Sequence, residues 1–202
     1  MCGRARLDPY TQNIASGHNS QLGGESVENV RTDRLVLRDL EEGDWRAVHS
    51  YASDSEVVRY MDWGPNTEDE TKKFIQRAIE GQREQPRKNY ELAIILKDGG
   101  RLIGGCSIHV SDPNNREGWI GYCLSRDVWG RGYATETAEA LFRFGFDQLN
   151  LHRIFALCDP ENLASAHVLE KAAMQKEGHF RERKFRKGKW HDELLYAIIG
   201  YK

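Results

Sequence analysis

The sequence predicts an α/β (α+β) fold: a mixed, mostly antiparallel central sheet with helices on both faces. Three observations point there. Apolar residues switch along the chain between strict alternation and helical spacing, turn-forming clusters separate the segments, and the resulting order is β, α, α, three β, α, β, α, β, β. At 202 residues the chain suits a single domain with its own core, placed here at residues 30–202. Residues 1–29 are rich in Gly, Ser, Asn and Gln without apolar period, and read as a disordered or loosely docked tail.

Each element has its own signal. In RLVLRDL (34–40), Leu35 and Leu37 alternate with polar neighbours as in a half-buried strand. Trp45, Val48 and Ala52 recur at helical spacing, a short helical piece follows to Met61, and Asp62-Trp63-Gly64-Pro65 is a turn. Thr67 and Glu70 have capping-box spacing, so a helix starts there. Its apolar face is Phe74, Ile75, Ala78 and Ile79, and Gln85-Pro86 ends it. Segments 90–96, 101–110 and 118–124, separated by Asp98-Gly99-Gly100 and Asp112-Pro113-Asn114-Asn115, predict an antiparallel meander. A helix then runs to Leu149 on a stripe of Ala134, Ala138, Leu141, Phe142, Gly145, Phe146 and Leu149. RIFALCD (153–159) is a buried strand, 162–173 a helix begun by Asn162, and two strands flank Gly188.

Composition excludes several classes. A net charge of −2 gives no global attraction to DNA or to acidic membranes, so an anionic ligand must be held locally. The four cysteines are scattered with no C-x-x-C pair, and the histidines lack metal-ligand spacing. No metal is assigned, and a reducing, cytoplasmic setting is expected. No membrane span or signal peptide is read in the chain.

WGRGYATETAEAL (129–141) sets Gly130 and Gly132 just before a strong helix former. Amides at a helix start have no internal partner and carry the positive end of the dipole. Glycines let an anion reach them without meeting a β-carbon, and Arg131 adds a charge. The dinucleotide fingerprint would need a glycine where Thr135 stands, and the P-loop would need Gly-Lys-Ser/Thr. About one strand later, DPENLASAHVLEKAAM (159–174) starts a further helix with Asn162 and Ser165 at i, i+3.

Together these two stretches resemble the GNAT superfamily of N-acetyltransferases, in particular its RimJ/RimL-like branch, over residues 30–202. The superfamily signature, Gln/Arg-x-x-Gly-x-Gly/Ala, reads Trp129-Gly130-Arg131-Gly132-Tyr133-Ala134, with Trp129 in place of Gln or Arg. The branch pattern N-x-x-S-x-x-V-L-E-K-x-G-F is matched from Asn162 to Lys171 and departs at Ala173 and Met174. The resemblance implies a sheet splayed between its fourth and fifth strands, counted from 34–40. Acetyl-CoA would lie in that wedge, with pantetheine on the backbone of Cys123 and Leu124. Amides from Arg131 to Thr135, including Tyr133 and Ala134, would hold the pyrophosphate.

Acetyl transfer requires a neutral amine, a stabilised oxyanion and a proton for the departing thiolate. By resemblance Ser165 supplies that proton, and Asn162 holds cofactor carbonyls or caps its helix. Glu117 is the candidate base. An α-amine titrates near 7.7–8.0 and a lysine near 10.4, a difference of about 3.4 kcal/mol in reaching the neutral form. With no unmistakable base in the sequence, a protein N-terminal α-amine is the favoured acceptor over small-molecule amines such as antibiotics or polyamines. A non-catalytic acyl-CoA-binding module is a further alternative. Whether the chain forms a homodimer is left open. RERKFRKGKWH (181–191) reads as a solvated basic hairpin, with substrate docking as the alternative.

Overall fold

Eight strands form one sheet in the computed structural model, which describes residues 29–200. The tail expected over residues 1–29 therefore lies, except for Asn29, outside the described residues. In chain order the elements are β1 (Val30–Arg31), β2 (Leu35–Asp39), α1 (Trp45–Ala52), α2 (Glu68–Gly81), β3 (Asn89–Leu96), β4 (Leu102–Asp112) and β5 (Glu117–Leu124). They continue with α3 (Tyr133–Arg143), β6 (Arg153–Cys158), α4 (Leu163–Lys171), β7 (Gln175–Arg186) and β8 (Lys189–Ile199). The sheet order is β1-β2-β3-β4-β5-β6-β8-β7, antiparallel except at β5/β6.

Period-two alternation sends apolar side chains to both faces, so the sheet carries two cores. On one face Leu35, Leu37, Leu92, Ile94 and Ile108 pack under Ala138 and Leu141 of α3 and Leu169 of α4. On the other, Ala93 meets Val48 and Tyr51 of α1 and Ile75 of α2. The Thr67–Glu70 capping box forms in both directions, as its spacing predicts.

Two expectations need correction. The helical piece before Met61 is a set of turns, with Val58 fully buried. The helix expected to reach Leu149 stays α-helical only to Arg143 and closes in a π-helical turn, Phe144–Gln148. That turn puts Phe144 rather than Phe146 in the core, edge-on to Tyr90, with ring centroids 5.3 Å apart. Gly145 is needed there, because a β-carbon would lie 2.6 Å from Ile154. The absent glycine at 173 does not abolish the turn after α4. Ala173 takes φ +64°, the Met174 amide bonds the Leu169 carbonyl at 3.0 Å, and Met174 is buried.

Candidate active site

β5 and β6 pair only at Glu117–Arg153, Gly118–Ile154 and Trp119–Phe155. Beyond Trp119 they part: Ile120–Leu124 stays on β4 while Ala156–Cys158 stays on β8. Because the sheet includes the short β1, the splay falls between the fifth and sixth strands, at the place expected. The edges left open must find hydrogen-bond partners. A cleft of about 890 Å³ runs through this wedge, lined by Tyr122, Cys123, Asn162 and Ser165 among others.

At the wide end of the wedge lies the glycine loop. Gly130 and Gly132 both adopt left-handed φ, +74° and +80°, and Gly132 is the N-cap of α3 with no side-chain cap. A β-carbon built on Gly130 would meet nothing within 4 Å, so the glycine leaves open space beside bare amides. Alternating left-handed residues before a helix make an anion-binding nest, and Tyr133, Ala134 and Thr135 present the first unpaired helical amides. Arg131 is exposed, and its carbonyl accepts from Arg34 at 3.0 Å. Arg34 also stacks on Tyr133 and pairs with Glu136 at 2.6 Å. Although burial opposes it, hydrogen bonds from Thr32 and Arg34 hold the Glu136 carboxyl below its ordinary range. No local pattern marked Arg34, which reaches the loop from almost 100 residues away through the pairing of β2 into the sheet.

The wedge wall is shifted by one residue from expectation. The Cys123 carbonyl faces β4, where a β-carbon on Gly104 would sit 2.3 Å from it. By alternation Tyr122 and Leu124 present their backbone groups to the wedge. The Leu124 carbonyl already accepts from the Trp129 indole at 2.9 Å, so Trp129 braces the loop. Burial pushes the Cys123 thiol up to about 12, far from a nucleophilic thiolate.

Past the end of β6, Asn162 and Ser165 open α4, and the Asn162 side chain accepts from the Ser165 amide at 3.2 Å. The Ser165 hydroxyl lies 3.0 Å from that of Tyr122. Burial raises the Tyr122 pKa, partly offset by this hydrogen bond, so the phenol stays protonated at neutral pH. The pairing of Tyr122 with Ser165 depends on β5 and α4 meeting across 43 residues. Glu117 is not brought to the cleft. It lies where β5 and β6 are still paired, and its carboxylate accepts from Arg153 Nε at 2.8 Å.

The basic hairpin is docked rather than free. Arg186 is buried with Asp159 and donates to the Tyr60 carbonyl, Lys187 donates to the Val58 carbonyl, and Lys184 pairs with Asp62. Phe185 and Trp190 stay exposed at its tip. Among the described residues no group of His, Cys, Asp and Glu is arranged to hold a metal, and no helix is long and apolar enough to cross a membrane.

Comparison with known proteins agrees with this geometry. The family described as the acetyltransferase (GNAT) domain matches residues 34–175. The uncharacterized N-acetyltransferase YnaD of Bacillus subtilis is 35% identical over 85% of this chain and 96% of its own. A GNAT-family acetyltransferase structure from Bacillus anthracis is 35% identical, with a TM-score of 0.76 over 85% of this chain and 98% of its own. Two coenzyme A complexes share the fold at lower identity. They are RimL, a ribosomal L7/L12 α-N-protein acetyltransferase (24%, TM-score 0.76, covering 85% and 98%), and a Vibrio cholerae spermidine N-acetyltransferase with spermine (23%, TM-score 0.72, covering 83% and 96%). With a splayed sheet, an open glycine loop and a family match over most of the domain, the chain belongs to the GNAT family of acetyl-CoA-dependent N-acetyltransferases.

Proposed function

We propose that the acceptor is a protein N-terminal α-amine, acetylated by direct attack in a ternary complex. One observation carries this reading: of the six carboxylates that line the cleft, all but Glu91 are already engaged by the chain itself. Asp62 pairs with Lys184, Asp159 with Arg186 and Glu193 with Arg183, while Glu70 is committed to its capping box. A polyamine or aminoglycoside needs several free anions along one trough, whereas a peptide end needs one amine-sized opening with room for backbone beyond it.

Acetyl-CoA supplies the activated acyl group; the chain supplies placement and protons. Amides of the glycine loop, from Arg131 to Thr135, bind the diphosphate, and Arg34 and Arg131 add charge beside it. Tyr122 and Leu124 offer backbone groups to the pantetheine arm in the wedge. Ser165 donates a proton to the departing thiolate, and Tyr122 at 3.0 Å orients or replenishes that hydroxyl. Asn162 caps α4 and so fixes where Ser165 starts.

Thiol release from acetyl-CoA, measured over N-terminal peptides, polyamines and aminoglycosides, tests the reading. Peptides should show the highest kcat/KM. Faster turnover of spermidine than of every peptide would replace the α-amine with a polyamine, and coenzyme binding without turnover of any amine would leave a binding module.

A further inference from the structure

The site described so far donates a proton but has no group to take one from the incoming ammonium. Glu91 is placed for that. Ala93, two residues along β3, packs against α1 and α2, so Glu91 shares their face of the sheet. On the same face lie Ser107, opposite Glu91 on β4, and Gly121, opposite Ser107 on β5 and next to Tyr122. Two strand spacings, roughly 10 Å, separate Glu91 from β5, the near wall of the wedge, and Glu91 and Tyr122 of β5 line the same cleft.

Its surroundings distinguish Glu91 from the other carboxylates of the wall. Asp62, Asp159 and Glu193 face permanent cations, Asp159 meeting His191 as well, and Asp192 pairs with His179 at 2.7 Å while accepting the Glu182 amide on the hairpin. Among the described residues no permanent cation and no backbone amide bonds the Glu91 carboxylate, which lies on the sheet beside the wedge. Glu91 faces a histidine: His109 Nε2 is 3.3 Å from Glu91 Oε1, and Nδ1 is 2.8 Å from Asn89 Oδ1. With the Asn89 amide so oriented, both ring nitrogens meet oxygen acceptors. Both contacts are satisfied only when the pair holds a second proton, on the ring or on the carboxyl. The Trp119 indole stacks on the ring at 3.9 Å and 16°, a face suited to a cation. Tyr51 of α1 and Cys106 of β4 lie within the field of the Glu91 charge, and Glu70 and Arg77 of α2 line the same cleft.

We propose that Glu91 is the base that takes a proton from the acceptor ammonium, and that His109 is its positioning partner, passing that proton toward solvent past Asn89. Through water in the cleft the ammonium gives one proton to the carboxylate and becomes a neutral amine. Its lone pair then forms the C–N bond as the C–S bond breaks. The second nitrogen-bound proton is balanced by the one the thiolate receives, so a turnover releases one proton. The inference rests on the proposed function only in taking an amine as acceptor.

The test is the pH profile of kcat/KM for whichever amine of the panel the wild-type enzyme turns over best, so failure of the α-amine reading is seen separately. Glu91→Gln should lower kcat/KM about 100-fold near pH 7 with unchanged acetyl-CoA affinity. For an α-amine the deficit should shrink roughly 15-fold between pH 6.5 and 8.5, because the free-amine fraction rises by that factor. His109→Gln should give a smaller deficit with the same pH trend, and the double variant should be no worse than Glu91→Gln. A deficit equal at every pH, no deficit, or additive losses would overturn the proposal.

Discussion

Replacing Gly132 by alanine separates what the glycine loop does for the fold from what it does for the ligand. The residue sits at φ +80°, ψ 2°, where an L-residue costs about 1–2 kcal/mol. Sterically the change is mild, since the new β-carbon would lie 3.4 Å from an Arg34 nitrogen and touch nothing else within 4 Å. In a domain of this size each kcal/mol moves Tm by about 2–4 °C, so the melting point should fall by roughly 2–8 °C. Ligand binding should suffer separately. The methyl group occupies space beside the amides assigned to the diphosphate, and loss of one charge-assisted hydrogen bond costs about 1.5–3 kcal/mol. That corresponds to at least a tenfold rise in Kd for acetyl-CoA, read by calorimetry well below the variant's Tm. An unchanged Kd in a folded variant would show that the diphosphate does not rest on this loop.

Ser165→Ala should reduce kcat more than tenfold while leaving acetyl-CoA affinity within a factor of two; equal losses in both would make the hydroxyl a binding group. Tyr122→Phe should give a smaller loss, and the double variant should fall short of the product of the two, because the hydroxyls act as one hydrogen-bonded unit. Asp159→Asn should destabilise the protein by about 3 kcal/mol in urea unfolding, since it leaves the buried Arg186 guanidinium uncompensated; a change under 1 kcal/mol would mean the pair contributes little. Ala173→Gly should raise stability by about 1 kcal/mol by relieving the left-handed alanine, and no rise in Tm would refute the strain.

The glycine loop and the start of α4 were legible because they are local. Two glycines before a helix state a backbone conformation and an opening, and Asn162 with Ser165 at i+3 states a cap, whatever the rest of the chain does. The capping box of α2 and the strand meander were readable for the same reason: each is decided by residues within a few positions of one another. What local patterning missed was register and turn type. A single π-helical turn rotated Phe144 into the core, and one step of strand alternation moved the wedge-facing backbone from Cys123 to Tyr122 and Leu124.

By itself the sequence determined the order of elements, the glycine loop with its bare amides and the helix capped by Asn162, because propensity, capping and φ preference act over short spans. Only the tertiary structure decided which charges are free. It closed Arg153 onto Glu117, seated the basic hairpin on Asp62 and Asp159, and set Arg34 over the glycine loop. It also left Glu91 facing a histidine. The physical reason is that a carboxylate's chemistry depends on its nearest opposite charge, and that neighbour comes from strand pairing across tens of residues.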